Sequence, residues 1–68
     1  MYMFNKEMKK KLLGKRTITE LAEMIGITRP NLTDILNAKR ATTKMTAYCI
    51  TKALNSELEI CQIFTRID

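Results

Sequence analysis

The chain has no histidine, two cysteines, two glycines and one proline in 68 residues. A structural zinc site needs about four nitrogen or sulfur ligands, and two thiols without an imidazole do not supply them. The missing histidine also removes the commonest general base, and no nucleophile–base pair replaces it. Two isolated glycines do not make a phosphate-cradling loop. Glu20 and Glu23 stand three residues apart, but Glu20 is needed as a helix cap, so the pair is no acid–base couple. The expectation is a protein without enzymatic activity, cofactor or metal. No apolar run approaches 18 residues, which argues against a membrane span. The opening MYMF precedes its charges, the reverse of a signal peptide. Cys49 and Cys61 both fall in helical apolar patterns and read as reduced core or near-core thiols of a cytoplasmic protein.

No β-hairpin signal, linker, repeat or low-complexity segment interrupts the chain, so residues 1–68 read as one domain. A chain of this length buries about 60% of its unfolded surface, and its core supplies roughly 3–5 kcal/mol. That suits a single core and leaves self-association as a source of further stability.

The net charge is +5, and its distribution says more than its total. Residues 1–16 carry +5, residues 17–28 carry −2, residues 29–44 carry +3 and residues 45–68 carry −1. Two basic blocks thus flank an acidic stretch, which suits a polyanion bound on one face and equally suits a solvated basic surface.

Apolar periodicity predicts five helices. The first covers about residues 3–13, with Phe4, Met8 and Leu12 on one face and Gly14 as its stop. Thr17-Ile18-Thr19-Glu20 has the form of a capping box and opens a second helix that runs to about Ile25, before Gly26. Leu21, Ala22, Met24 and Ile25 are its expected core residues, and the methionines generally read as core gap fillers. Thr28 caps a third helix, with Arg29 as the other candidate because Pro30 disfavours helical geometry before it. Ile27 and Leu32 are placed as a hydrophobic staple, and Leu32, Ile35 and Leu36 face inward. A fourth helix covers about 44–54, presenting Ala47, Ile50 and Leu54. A fifth, capped by Ser56, covers about 57–64, although the last residues also fit a short extended tail.

Helix, short glycine turn, helix is the helix-turn-helix pattern, in which the second helix projects its N-terminal turn into the major groove of DNA. TITELAEMIGITRPNL, residues 17–32, resembles the Cro/CI-type (XRE-family) helix-turn-helix domain of phage repressors and their bacterial relatives. AYCITKALNSELEICQIFT, residues 47–65, is similar to that family's fourth and fifth helices. MYMFNKE and the lysine-rich first helix resemble small Gram-positive prophage regulators. The resemblance implies an all-α, lambda-repressor-like bundle of about five short helices. It also implies a cytoplasmic, Cro-like transcriptional regulator, a repressor, bound to double-stranded operator DNA as a homodimer.

Carried over position by position, the resemblance puts Arg29, Pro30 and Asp34 at base-contacting places, with Thr33 beside them. Thr28 starts the recognition helix. Asn37, Lys39 and Arg40 fall where phosphates are gripped, and Thr17 opens a helix whose backbone N–H can meet another phosphate. Arg29 has the chemistry to read guanine O6 and N7, Pro30 to pack on a thymine methyl, and Asn31 to reach adenine or a phosphate. Asp34 is repelled by DNA unless it accepts from a cytosine amine. Lys39, Arg40, Lys44 and the lysines of the first helix supply salt-dependent affinity. Lys39 and Arg40 also read as ordinary loop charges, and Arg29 as a solvated arginine.

The chain departs from the family at three places. Ile18 replaces a common glutamine, Leu36 a common glutamate, and Ala38 a common glycine, for which Asn37 is the expected left-handed substitute. An exposed Ile18 beside an acidic recognition helix favours an alternative: a protein-binding modulator of a phage repressor, or an antitoxin, with Ile18, Pro30 and Asp34 at the interface. Ile60, Phe64 and Ile67 are candidate dimer contacts, or else cover their own chain's core.

Overall fold

A computed structural model describes residues 1–67. Its first departure from helical periodicity comes at once. Tyr2–Phe4 form a strand, β1, paired antiparallel with β2, Phe64–Arg66, with Phe4 opposite Phe64. Helical structure starts only after Asn5, whose side chain accepts the Glu7 N–H at 3.2 Å. A 3₁₀ turn, Lys6–Met8, leads into helix α1, Lys9–Leu13, which ends at Gly14 with φ 58°. Long-range partners explain the strand. Tyr2 and Thr42 exchange both backbone hydrogen bonds, at 2.7 and 2.8 Å, and Phe4 meets Phe64 edge-on with ring centroids 5.3 Å apart. Phe4, Met8 and Leu12 still serve one core, but Phe4 reaches it from a strand.

Helices α2, Ile18–Ile25, α3, Arg29–Leu36, and α4, Lys44–Leu54, follow their sequence signals closely. Each opens on a threonine whose hydroxyl accepts a first-turn N–H: Thr17 from Glu20, Thr28 from Asn31 and Thr43 from Thr46. Such a cap is worth about 1 kcal/mol. Thr28 rather than Arg29 is the cap of α3, and Pro30 occupies the first turn, where its missing N–H costs nothing.

The fifth helix, α5, is shorter than its periodicity suggests, only Ile60–Ile63. Ser56 does not cap it. Glu59 precedes it instead, its N–H bonded to the Gln62 side chain at 2.7 Å. Phe64 then enters β2, so the extended alternative holds for the tail. Lys52 fastens this region to α4 by donating to the carbonyls of Ser56 at 3.2 Å and Leu58 at 2.8 Å.

The core joins Phe4, Leu21, Ala22, Leu32, Ile35, Leu36, Ala47, Ile50, Leu54, Ile63 and Phe64. Thr51 is buried among them and satisfies its hydroxyl on the Ala47 carbonyl at 2.8 Å. The architecture is a compact all-α bundle of five short helices, with one two-stranded ribbon tying the ends of the described chain together. Among the described residues no helix is long and apolar enough to cross a membrane.

Several expected positions change sides. Met24 is 66% exposed and Met45 73%, so neither fills a core gap. Cys61 is exposed, while Cys49 is half-buried; both are free thiols. Ile18 is half-buried against the core rather than exposed, because it is the first residue of α2 and leans onto the apolar face. Phe64 is buried in its own chain and is not available as a dimer contact, and Ile60 packs partly against the same core. Ile67 remains exposed.

Candidate nucleic-acid interface

The turn between α2 and α3 is set by hydrogen bonds to one carbonyl. Ala22 accepts from Gly26 N–H at 2.8 Å and from Ile27 N–H at 3.2 Å. Gly26 takes φ 87°, a left-handed conformation that reverses the chain without side-chain strain. Ile27 then tucks against the core and Thr28 starts α3 immediately.

With about 100° between successive helical residues, Leu32, Ile35 and Leu36 share the inner face of α3 and Pro30 and Asp34 lie opposite. Thr33 and Asn37 flank that outer strip, and Arg29 and Asn31 lie toward its edges. Burial follows position along the helix as well as this wheel. Thr28, Arg29 and Pro30, at the start of α3, are exposed, while Asn31, Thr33, Asp34 and Asn37, further along, are half-buried. Lys39 and Arg40 are exposed in the following loop, and Thr17 is exposed at the start of α2.

The starts of α3 and α4 are electropositive. Neither α3 nor α4 has an acidic residue in its first turn. Arg29 and Lys44 stand there instead, next to the positive end of the helix dipole, where a cation loses roughly 0.3–1 kcal/mol of stability. Folding alone does not favour that choice. Asp34 is the one acid on the outer strip, and among the described residues its carboxylate has no ion-pair partner.

Two hydrogen bonds that the sequence does not announce bring cations onto α3. Arg40 Nη1 donates to Asn31 Oδ1 at 3.0 Å, folding the loop back toward the first turn. Lys9 Nζ donates to Asn37 Oδ1 at 2.7 Å, linking α1 to the last turn. The partners are nine and 28 residues apart, beyond any helical spacing rule. Arg16 behaves differently from its neighbours in the basic N-terminal block: its guanidinium donates to the Ala53 carbonyl at the end of α4.

The chain reverses after α3 through Ala38, which takes φ 58°. Asn37 does not supply the left-handed residue; it sits at φ −91°. Lys39 N–H closes onto the Asp34 carbonyl at 2.9 Å and Ala38 N–H onto that of Ile35 at 3.1 Å. This pair of bonds is a Schellman stop with alanine where glycine is usual. It sets the course of Lys39 and Arg40.

Outside α3, an open apolar groove of about 480 Å³ runs along α4, lined by Lys44, Met45 and Tyr48. Tyr48 also receives Lys52, whose ammonium lies 5.6 Å from the ring centre.

Comparison with curated proteins finds no match, and neither does comparison with solved structures. A helix-turn-helix family model matches residues 7–60, from the 3₁₀ turn to the first residue of α5. That span includes α2, the Gly26 turn, α3 and the basic loop, so the chain belongs to the XRE-type helix-turn-helix family of DNA-binding regulators.

Proposed function

We propose that this protein is a cytoplasmic, Cro-like transcriptional repressor of phage or prophage type, the whole chain acting as one helix-turn-helix domain. It reads a partly palindromic operator as a homodimer, α3 lying in the major groove and half-sites one helical turn apart. The observation that carries this reading is the first turn of α3: exposed, free of acid, and bearing Arg29 with Arg40 bonded beside it. Arg29 reads guanine, Pro30 packs on a thymine methyl and Asp34 accepts from a cytosine amine. Thr17, Thr28, Thr33 and Asn37 meet the backbone or adjacent base edges, Lys39 and Lys44 neutralise phosphates, and Arg40 adds its charge beside the first turn of α3. Ile67 supplies apolar surface for the second protomer, beside Met1, whose carbonyl accepts the Ile67 N–H at 2.9 Å.

The test separates base reading from phosphate neutralisation. Arg29→Ala should relax sequence preference at one base position. Lys39→Ala should weaken binding to all duplexes alike and reduce the slope of log K against log salt by about 1. Equal, sequence-independent weakening by both variants contradicts the role given to Arg29.

A second reading, in which the fold modulates a phage repressor or neutralises a toxin by protein contact, draws support from the α4 groove with Met45 and Tyr48 exposed. It draws less from Ile18, which is half-buried. Under that reading Met45→Ser and Tyr48→Ser abolish partner binding and leave DNA affinity alone.

A further inference from the structure

We propose that Asn31 and Arg40 form one recognition unit, with Asn31 the positioning residue and Arg40 the contact, selecting guanine over adenine at the base step beside the first turn of α3. The proposal rests on α3 being the DNA-reading helix. Asn31 is fixed at both ends: its backbone N–H donates to the Thr28 cap, and its side-chain oxygen accepts from Arg40. Among the described residues Arg40 has no carboxylate partner, so its charge is available to a ligand.

The consequence follows from counting donors and acceptors. A free asparagine reads adenine by accepting from N6–H₂ through its oxygen while donating to N7. Here the oxygen already receives a guanidinium proton. That bond turns the amide oxygen toward Arg40, while the exposed guanidinium keeps four further N–H groups, all donors. A guanidinium, which has donors and no acceptor, matches guanine, whose major-groove edge offers O6 and N7 as acceptors. It opposes adenine, whose N6–H₂ would face another donor. Phosphate oxygens also accept, so the unit has two possible anchors, and base preference distinguishes them. The bond also removes freedom from a long side chain before DNA arrives, which strengthens binding without adding a contact.

The experiment begins by selecting duplexes from a randomised pool with the wild-type protein. The enriched site is then titrated with wild type, Asn31→Ala, Arg40→Ala, the double variant and Arg40→Lys, each checked for folding by circular dichroism. Each titration is repeated on duplexes in which one G·C pair is changed to A·T. The expected result is coupling. Asn31→Ala weakens the enriched site about tenfold in the wild-type background and far less once Arg40 is gone, because its effect runs through Arg40. Arg40→Lys keeps the salt slope but loses the guanine preference at one position, since an ammonium lacks the fork. A structural role for Asn31 would leave that preference intact. Enrichment of a site with additive effects of the two alanine variants, or with guanine preference unchanged by Arg40→Lys, overturns the proposal alone. Failure to enrich any site overturns the operator reading and the proposal together.

Discussion

Replacing Ala38 with glycine should stabilise the protein. Ala38 sits at φ 58° after α3, held there by the Lys39-to-Asp34 and Ala38-to-Ile35 backbone bonds. An L-residue in this conformation carries roughly 1–2 kcal/mol of steric cost from its Cβ against the following carbonyl. Glycine removes that cost but returns about 0.4–1 kcal/mol of freedom to the unfolded chain, leaving a net gain of roughly 0.5–1 kcal/mol. For a domain of this size that gain raises Tm by about 2–8 °C. Thermal and urea unfolding followed by circular dichroism at 222 nm measures it, with the urea midpoint rising and the m-value unchanged. DNA affinity should stay the same, because the turn keeps its path and Lys39 and Arg40 keep their places. An unchanged or lowered Tm would refute the left-handed turn, and with it the placement of the basic loop.

Gly26→Ala should have the opposite sign, lowering stability by a net roughly 0.5–1 kcal/mol on the same reckoning, since Gly26 holds φ 87°. Nothing lies within 4 Å of the added Cβ, so the loss is conformational and a normal Tm would show that the turn relaxes. Lys52→Met keeps the length of the side chain but leaves the Ser56 and Leu58 carbonyls without their donor, which should destabilise by about 1 kcal/mol in urea unfolding. Its contact with Glu59, at 4.0 Å and largely exposed, should add little, so Glu59→Gln is expected to be nearly neutral.

Local rules carried the centre of the fold and faltered at its ends. Thr17, Gly26, Thr28 and the inward Leu32, Ile35 and Leu36 announce α2, the turn and α3 because caps, stops and apolar spacing act within a few residues. Phe4 fits a helical stripe with Met8 and Leu12 as well as a strand. Its choice depends on Phe64 and on Thr42 beyond Tyr2, which no local pattern contains. Met24 misled for another reason: an apolar side chain on a short helix does not reveal whether a neighbouring helix reaches over it.

At the candidate site, exposure of Arg29 and Pro30 follows from their place in the first turn of α3, and that of Lys39 and Arg40 from the loop. The bonds from Arg40 to Asn31 and from Lys9 to Asn37 do not, because they need the loop and α1 to return to α3 in space. Ala38 marks the limit between these cases. The sequence pattern identifies a reversal after α3, but which residue takes positive φ depends on how the last carbonyls of the helix are satisfied.

The central claim is that the exposed first turn of α3 distinguishes one DNA sequence from others. The direct measurement is a titration of the purified protein alone against duplex from the region upstream of its own gene, with an unrelated duplex as control, at two salt concentrations. The account predicts a preference on the order of a thousandfold or more that persists at the higher salt. Equal binding to both duplexes, lost together as salt rises, would contradict it and leave the basic surface as a generic polyanion contact.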